Sequence, residues 1–79
     1  MDQCTQQLNE IFRDTFQDDG IEIRPDMSST DIDGWDSLMH VSLMMNVESG
    51  FGVRFTSSEV AVLKTVGELI ELIRTKQEA

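Results

Sequence analysis

Apolar residues recur at helical spacing in three separate stretches of the chain. Over roughly residues 2–17, Cys4, Leu8, Ile11, Phe12 and Phe16 fall three or four positions apart, on one face of a helix. Over roughly 66–76, Val66, Leu69, Ile70 and Ile73 repeat the pattern. Thr65 stands three residues before Glu68, the spacing of a capping box, in which hydroxyl and carboxylate each take a backbone N–H of the first turn. The stretch over roughly 37–50, SLMHVSLMMNVESG, has two apolar stripes instead of one. Leu43, Met44, Val47 and Phe51 make the first, and Leu38, Val41 and Met45 the second, with Glu48 the single charged residue. A helix in so small a domain is rarely enclosed on every side. One stripe is therefore expected to face solvent, and an exposed apolar stripe marks a binding face. A central helix wrapped on all sides is the competing reading. Thr56 and Glu59 repeat the capping spacing and predict a short further helix over roughly 57–62.

The connection over roughly 18–36 contains Gly20, Pro25, Gly34 and the run Ser28-Ser29-Thr30, and should not be helical. It is longer than most helix–helix connections. It also carries Ile21, Ile23, Met27, Ile32 and Trp35, enough apolar side chains to pin it onto a bundle. Phe51, Val53 and Phe55 alternate with Gly52 and Arg54. No partner strand is evident, so this segment reads as an extended connection dipping into the core. The pattern as a whole predicts an all-α four-helix bundle, one domain over residues 1–79, with a long first loop and a short third helix.

Composition narrows the function. With 79 residues there is room for one small core and none for a buried enzyme pocket beside a separate substrate domain. Fifteen acidic residues against six Lys and Arg give a net charge of −9. Nucleic acid is disfavoured, because a phosphate backbone needs cations, and so is an anionic membrane surface. Basic surfaces on other proteins are the electrostatic match, although a solvated acidic exterior fits equally well. The first ten residues, MDQCTQQLNE, hold neither a basic patch nor an apolar run, and no stretch is long enough to span a bilayer. A single Cys allows no internal disulfide, so a reducing cytoplasm is the expected compartment. The chain is expected to be a monomer.

Catalytic chemistry is hard to assemble here. One His and one Cys do not make a zinc site. Cys4 falls on the apolar face of the first helix and reads as a core residue. The segment DIDGWDS resembles a calcium loop only superficially, because Gly34 comes too early and the alternate carboxylates and terminal Glu are missing. There is no glycine-rich phosphate loop.

The segment GWDSLMH, Gly34 to His40, stands at the expected start of the second helix. Asp36 or Ser37 can serve as its N-cap. A serine there has a second virtue. Unpaired amides and the positive end of the helix dipole favour an attached phosphate, so a phosphodiester on Ser37 Oγ would sit where its charge is welcome. Asp36 beside it would repel that charge locally, or would hold a metal ion for an enzyme acting on Ser37.

In context the segment is specific. WDSL is followed by FGVRF, then SSEV, then TVGELIELI. Along nearly its whole length the chain resembles the acyl carrier proteins, small acidic four-helix bundles bearing 4′-phosphopantetheine on the Ser of an Asp-Ser-Leu motif. The resemblance implies attachment at Ser37, with Asp36 and Leu38 completing the motif. It implies a carrier, not a catalyst, that holds an acyl group as a thioester on the arm. The arm would come from coenzyme A through a phosphopantetheinyl transferase, and acyl-loading, condensing or acyltransferase enzymes would be the other partners. Leu38, Met39, Val41, Met45 and Glu48 are the expected partner face. Met44, with Leu43 and Val47, is where the bundle would part to admit an apolar chain. Fatty-acid carriers place several acids along the second helix. Here those places hold Met39, Ser42, Ser49 and Gly50, and the acidity lies in Asp14, Asp18, Asp19, Glu22, Asp26, Asp31, Asp33 and Asp36. That departure resembles stand-alone carriers of specialised pathways. An aminoacyl or peptidyl carrier, and a helical interaction module without a prosthetic group, are the alternatives.

Overall fold

A computed structural model describes residues 3–78. Four helices follow in order: α1 (Gln3–Phe16), α2 (Ser37–Phe51), α3 (Ser57–Val62) and α4 (Val66–Glu78). Each lies within two residues of its expected span at either end. Among the described residues there is no strand, only a lone antiparallel bridge between Ser28 and Thr65.

The three long helices enclose the core. Leu8 and Phe12 enter it from α1, Leu43, Met44 and Val47 from α2, and Val66, Leu69, Ile70 and Ile73 from α4. The fourth wall is the long loop, whose Ile21, Ile23, Met27 and Ile32 are all buried. The short α3 contributes no buried residue. It rides on the bundle through the partly buried Val60 and, just after it, Leu63. Cys4 packs against the core at intermediate burial, in keeping with its place on the apolar face. Phe51 departs from expectation. It is only partly buried, because the end of α2 lies beside a polar groove lined by Gln3, Gln7, Glu10 and Gln77.

The loop is held by backbone chemistry that the apolar pattern does not reveal. Asn9, buried in α1, donates from Nδ2 to the carbonyl of Ile21 (3.2 Å) and accepts at Oδ1 from the amide of Ile23 (2.7 Å). Arg13 Nε donates to the same Ile21 carbonyl at 2.8 Å, so two side chains of α1 satisfy this stretch of loop backbone. At its other end the loop serves α4. The amides of Val66 and Gly67, which have no acceptor within their own helix, donate to the carbonyls of Met27 and Pro25, each at 2.9 Å. A Cβ on Gly67 would lie 2.9 Å from the Pro25 carbonyl oxygen, so this helix start approaches the loop as closely as only glycine permits.

The segment after α2 is extended, as expected. Gly52 closes the helix in the left-handed conformation (φ 68°) and donates to the carbonyl of Glu48. The Glu48 carboxylate then accepts from the amide of Phe55 at 2.8 Å and fixes the exit path. Both capping boxes form. Thr56 and Glu59 exchange bonds at α3, and Thr65 and Glu68 at α4.

Candidate functional site

The site is the start of α2, and local turn chemistry builds it. Gly34 adopts φ 86°, open to glycine at no steric cost, and turns the chain so that Asp36 N donates to the Gly34 carbonyl at 3.0 Å. Asp36 is extended, and its Oδ1 accepts from the amide of Met39 at 2.9 Å while its carbonyl accepts from His40 N at 2.8 Å. Asp36 is therefore the N-cap, and Ser37 is the first helical residue. Ser37 is exposed, and among the described residues nothing engages its hydroxyl. The division of labour between neighbours is clear: one carboxylate satisfies the helix end, and the hydroxyl beside it is left to solvent at the positive end of a 15-residue helix.

A groove of about 560 Å³ opens beside Ser37. The loop supplies Ser28, Ser29 and Trp35, and the far wall is Val60, Ala61, Leu63 and Lys64. Trp35 forms its inner edge, packed edge-on against Phe12 (5.4 Å between centroids, 83°) and tilted against Phe16. His40 stacks on Trp35 and lies within hydrogen-bonding distance of both the Trp35 indole and the Val60 carbonyl. This aromatic bracket escaped the sequence reading. Its only signal was a Trp and a His five residues apart across a helix start.

The outer stripe of α2 faces solvent. Leu38 is 76% exposed, Val41 53% and Met45 62%. The fully wrapped helix is thereby ruled out. Met39, at the edge of the stripe, is half-buried. Glu48, expected on the same face, is half-buried with its carboxylate committed to Phe55 N, because the exit segment has no strand to receive that amide. Gly50 also needs reinterpretation. Its carbonyl accepts from Gln7 Nε2 (2.7 Å), and a Cβ there would lie 2.8 Å from Ile11 Cδ1, so it faces α1 and not a partner. The acids from Asp14 to Asp36 are all exposed, and Asp18, Asp26 and Asp31, like Asp36, are engaged locally.

Among the described residues no group of three His, Cys, Asp or Glu could hold a metal ion, and no helix is long and apolar enough to cross a membrane. The arrangement presents an exposed nucleophilic oxygen at a helix N-terminus, a groove beside it and an apolar stripe below it.

Residues 6–73 match the family described as the phosphopantetheine attachment site. The chain belongs to the acyl carrier proteins. It is 37% identical over 75 residues to the acyl carrier protein of Petrotoga mobilis, covering 95% of this chain and 88% of that one. It is 35% identical over 66 residues to the acyl carrier protein of Myxococcus xanthus, covering 84% of each. The solution structure of the holo acyl carrier protein from Geobacter metallireducens superposes with a TM-score of 0.89 at 37% identity, over 95% of this chain and 86% of that one. The carrier thus bears a covalently attached 4′-phosphopantetheine, and the four-helix fold expected from the residue pattern is the fold of its relatives. A module that works without a prosthetic group does not fit this family. The site fits the group: an uncommitted hydroxyl stands where amides and dipole favour a phosphodiester.

Proposed function

We propose that Ser37 Oγ is the attachment point of the arm, and that the stripe of Leu38, Val41 and Met45 is where partner enzymes dock. The observation that carries the first part is the cap. Because Asp36 alone satisfies the Met39 amide, Ser37 keeps a hydroxyl with no structural duty. In the transfer, Ser37 Oγ attacks the phosphorus of coenzyme A that bears the pantetheine arm. The new O–P bond forms as the pyrophosphate bond breaks, the adenosine bisphosphate leaves, and the hydroxyl proton passes to a base of the transferase. Only one Asp36 oxygen is used in capping. The other is available to a divalent cation completed by coenzyme A and the transferase. Once bound, the arm supplies a thiol that holds the acyl group as a thioester, activated at its carbonyl yet stable enough to travel.

The chain's own residues decide which enzymes receive it. Of the places where acids were expected on α2, Ser42 and Ser49 are exposed and uncharged, and Met39 lies at the stripe's edge. Contact along this helix is therefore chiefly apolar. Methionine, unbranched and polarizable, adapts to differently shaped partners. The exposed loop acids that have no local partner, Asp19, Glu22 and Asp33, steer encounter with basic partner surfaces. These features favour service in a specialised pathway over primary fatty-acid synthesis.

Incubation with coenzyme A and a transferase of broad specificity tests the assignment. Intact mass should rise by one arm in the wild type and stay unchanged in Ser37→Ala. An arm found on Ser37→Ala would move the site elsewhere.

A further inference from the structure

The side chain that most needs an explanation is His40. It is the chain's single histidine, it lies three residues after Ser37, and the attachment chemistry assigns it no task. Its ring is nonetheless fully used. Trp35 Nε1 lies 3.1 Å from His40 Nδ1, and His40 Nε2 lies 3.2 Å from the Val60 carbonyl oxygen. An indole nitrogen only donates and a carbonyl oxygen only accepts. The two contacts together fix the tautomer: Nδ1 carries the lone pair that receives the indole N–H, and Nε2 carries the proton given to Val60. The rings stack at 18° with centroids 6.0 Å apart, which holds the imidazole in the orientation that both bonds need.

The bracket joins three elements that otherwise meet weakly near Ser37. Trp35 belongs to the loop and is wedged against Phe12 and Phe16 of α1. His40 belongs to the first turns of α2. Val60 belongs to α3, which has no buried residue of its own to hold it in place. Trp35, His40 and Val60 also line the groove beside Ser37. Their two hydrogen bonds therefore set the distance between that groove's walls.

We infer that His40 is a positioning residue for the transfer at Ser37: through its two ring nitrogens it holds loop and α3 in the arrangement the transferase reads. The inference rests on Ser37 as the attachment point. It differs from a packing role in one respect, the dependence on a lone pair. A second proton would go to Nδ1, where the indole N–H already points, and would expel Trp35 while leaving the Nε2 bond to Val60 intact. The bracket therefore requires the imidazole with its proton on Nε2 and its lone pair on Nδ1. Two charged groups share the groove with His40, Asp36 at the N-cap of α2 and Lys64 after α3. Glu59, next to Val60 on α3, is bonded to Lys76 and to the Thr56 amide. Phe12 and Phe16 on the α1 side are uncharged.

The test uses the full chain with one Trp and one His, so each signal has one source. Long-range proton–nitrogen spectra at about pH 8 should show His40 as the Nε2–H tautomer. The indole N–H should be protected from exchange in the wild type. In His40→Phe, which keeps a stacked ring, the indole signal should be unprotected. Transferase kinetics with coenzyme A supply the functional readout. For His40→Phe, which loses both ring hydrogen bonds, the KM for the carrier should rise by at least about five- to tenfold, the worth of one of them, with kcat unchanged. His40→Gln, whose amide both donates and accepts, should recover part of the loss. An Nδ1–H tautomer, an indole N–H as unprotected in the wild type as in His40→Phe, or an unchanged KM for a folded His40→Phe would each overturn the inference. If the wild type loads normally while KM is indifferent to residue 40, only this inference falls. A wild type that accepts no arm would sink the attachment at Ser37 together with it.

Discussion

Asp36 and Ser37 are adjacent, both polar and both at a helix start, yet the structure gives them opposite consequences when removed. Asp36→Ala deletes the only side chain that accepts from Met39 N, a bond of 2.9 Å. A lost N-cap of this kind costs ~1 kcal/mol, within a range of about 0.5–2. In a domain of this size ~1 kcal/mol corresponds to a fall in melting temperature of roughly 4–8 °C. Ser37→Ala removes a hydroxyl that bonds nothing among the described residues and puts the best helix former at the first helical position. Its melting temperature should equal or slightly exceed the wild type's. Asp36→Asn separates structure from recognition. The amide oxygen still accepts from Met39 N, and only the attraction between carboxylate and helix end is lost, about 0.3–1 kcal/mol.

The assay is thermal unfolding by circular dichroism of the three unloaded variants, followed by arm transfer measured as intact mass against time. The expected order of stability is Ser37→Ala at or above wild type, Asp36→Asn slightly below, Asp36→Ala lowest. Transfer should be abolished in Ser37→Ala alone. Any loss of rate in Asp36→Asn beyond its small loss of stability measures what the carboxylate does for the transferase. The reasoning is refuted if Ser37→Ala melts well below Asp36→Ala, because the hydroxyl would then be the cap.

Other expectations follow from the same geometry. Gly67→Ala should destabilise by about 1–3 kcal/mol despite alanine's helix propensity, because its Cβ meets the Pro25 carbonyl and strains two loop–helix bonds; Gly50→Ala should be near neutral, since the flexible Ile11 Cδ1 can yield, and equal effects in thermal melts would contradict both. Leu43→Ala should cost about 2–5 kcal/mol, and Phe51→Ala roughly half the 3–5 kcal/mol of a fully buried phenylalanine, as chemical denaturation would report. Met45→Glu or Val41→Glu should weaken acyl transfer with a cognate enzyme strongly and almost independently of salt. Glu48→Ala should weaken it modestly, and if it proved the most damaging with salt abolishing transfer, docking would be electrostatic. The Lys76 ammonium, followed by the Thr56 amide, holds the Glu59 carboxyl below its ordinary value. Its folded-state pKa being depressed, its contribution to α3 is present above the unfolded value and lost as pH falls through the folded one; amide exchange in α3 should speed in acid, and Lys76→Gln should raise the Glu59 titration.

The helices were legible because their apolar spacing and capping pairs are local signals, readable without knowing what they pack against. Thr56 with Glu59 and Thr65 with Glu68 fixed two helix starts to the residue. The split of α2 into inner and outer stripes was legible for the same reason. What escaped depends on groups distant in sequence. Asn9 looks like any polar residue of α1 until Ile21 and Ile23 arrive beside it. Gly67 looks like a weak helix former until Pro25 closes on it. Gly50 looked like a missing partner acid, and only the packing of α1 on α2 shows that Ile11 and Gln7 occupy its surroundings. Within the site, the motif located Ser37, but no rule of sequence chooses between two adjacent capping residues. The extended backbone of Asp36 makes that choice.

These parts constrain one another. Leu38, Val41 and Met45 are exposed and Leu38 directly follows Ser37, so the proposed docking stripe and the proposed attachment point share one helix. Such a carrier must keep α2 rigid while its outer stripe stays exposed, and apolar exposure by itself contributes nothing to rigidity. The structure supplies it from the other side. Leu43 and Val47 are fully enclosed, Asp36 closes the first turn, and Gly52 with the Glu48 carboxylate closes the last. The Glu48 carboxylate thus supports the end of α2 through Phe55 N. The exposed loop acids lie away from that stripe, and on the proposed reading they would change the rate of encounter while the apolar contact decides which complex persists.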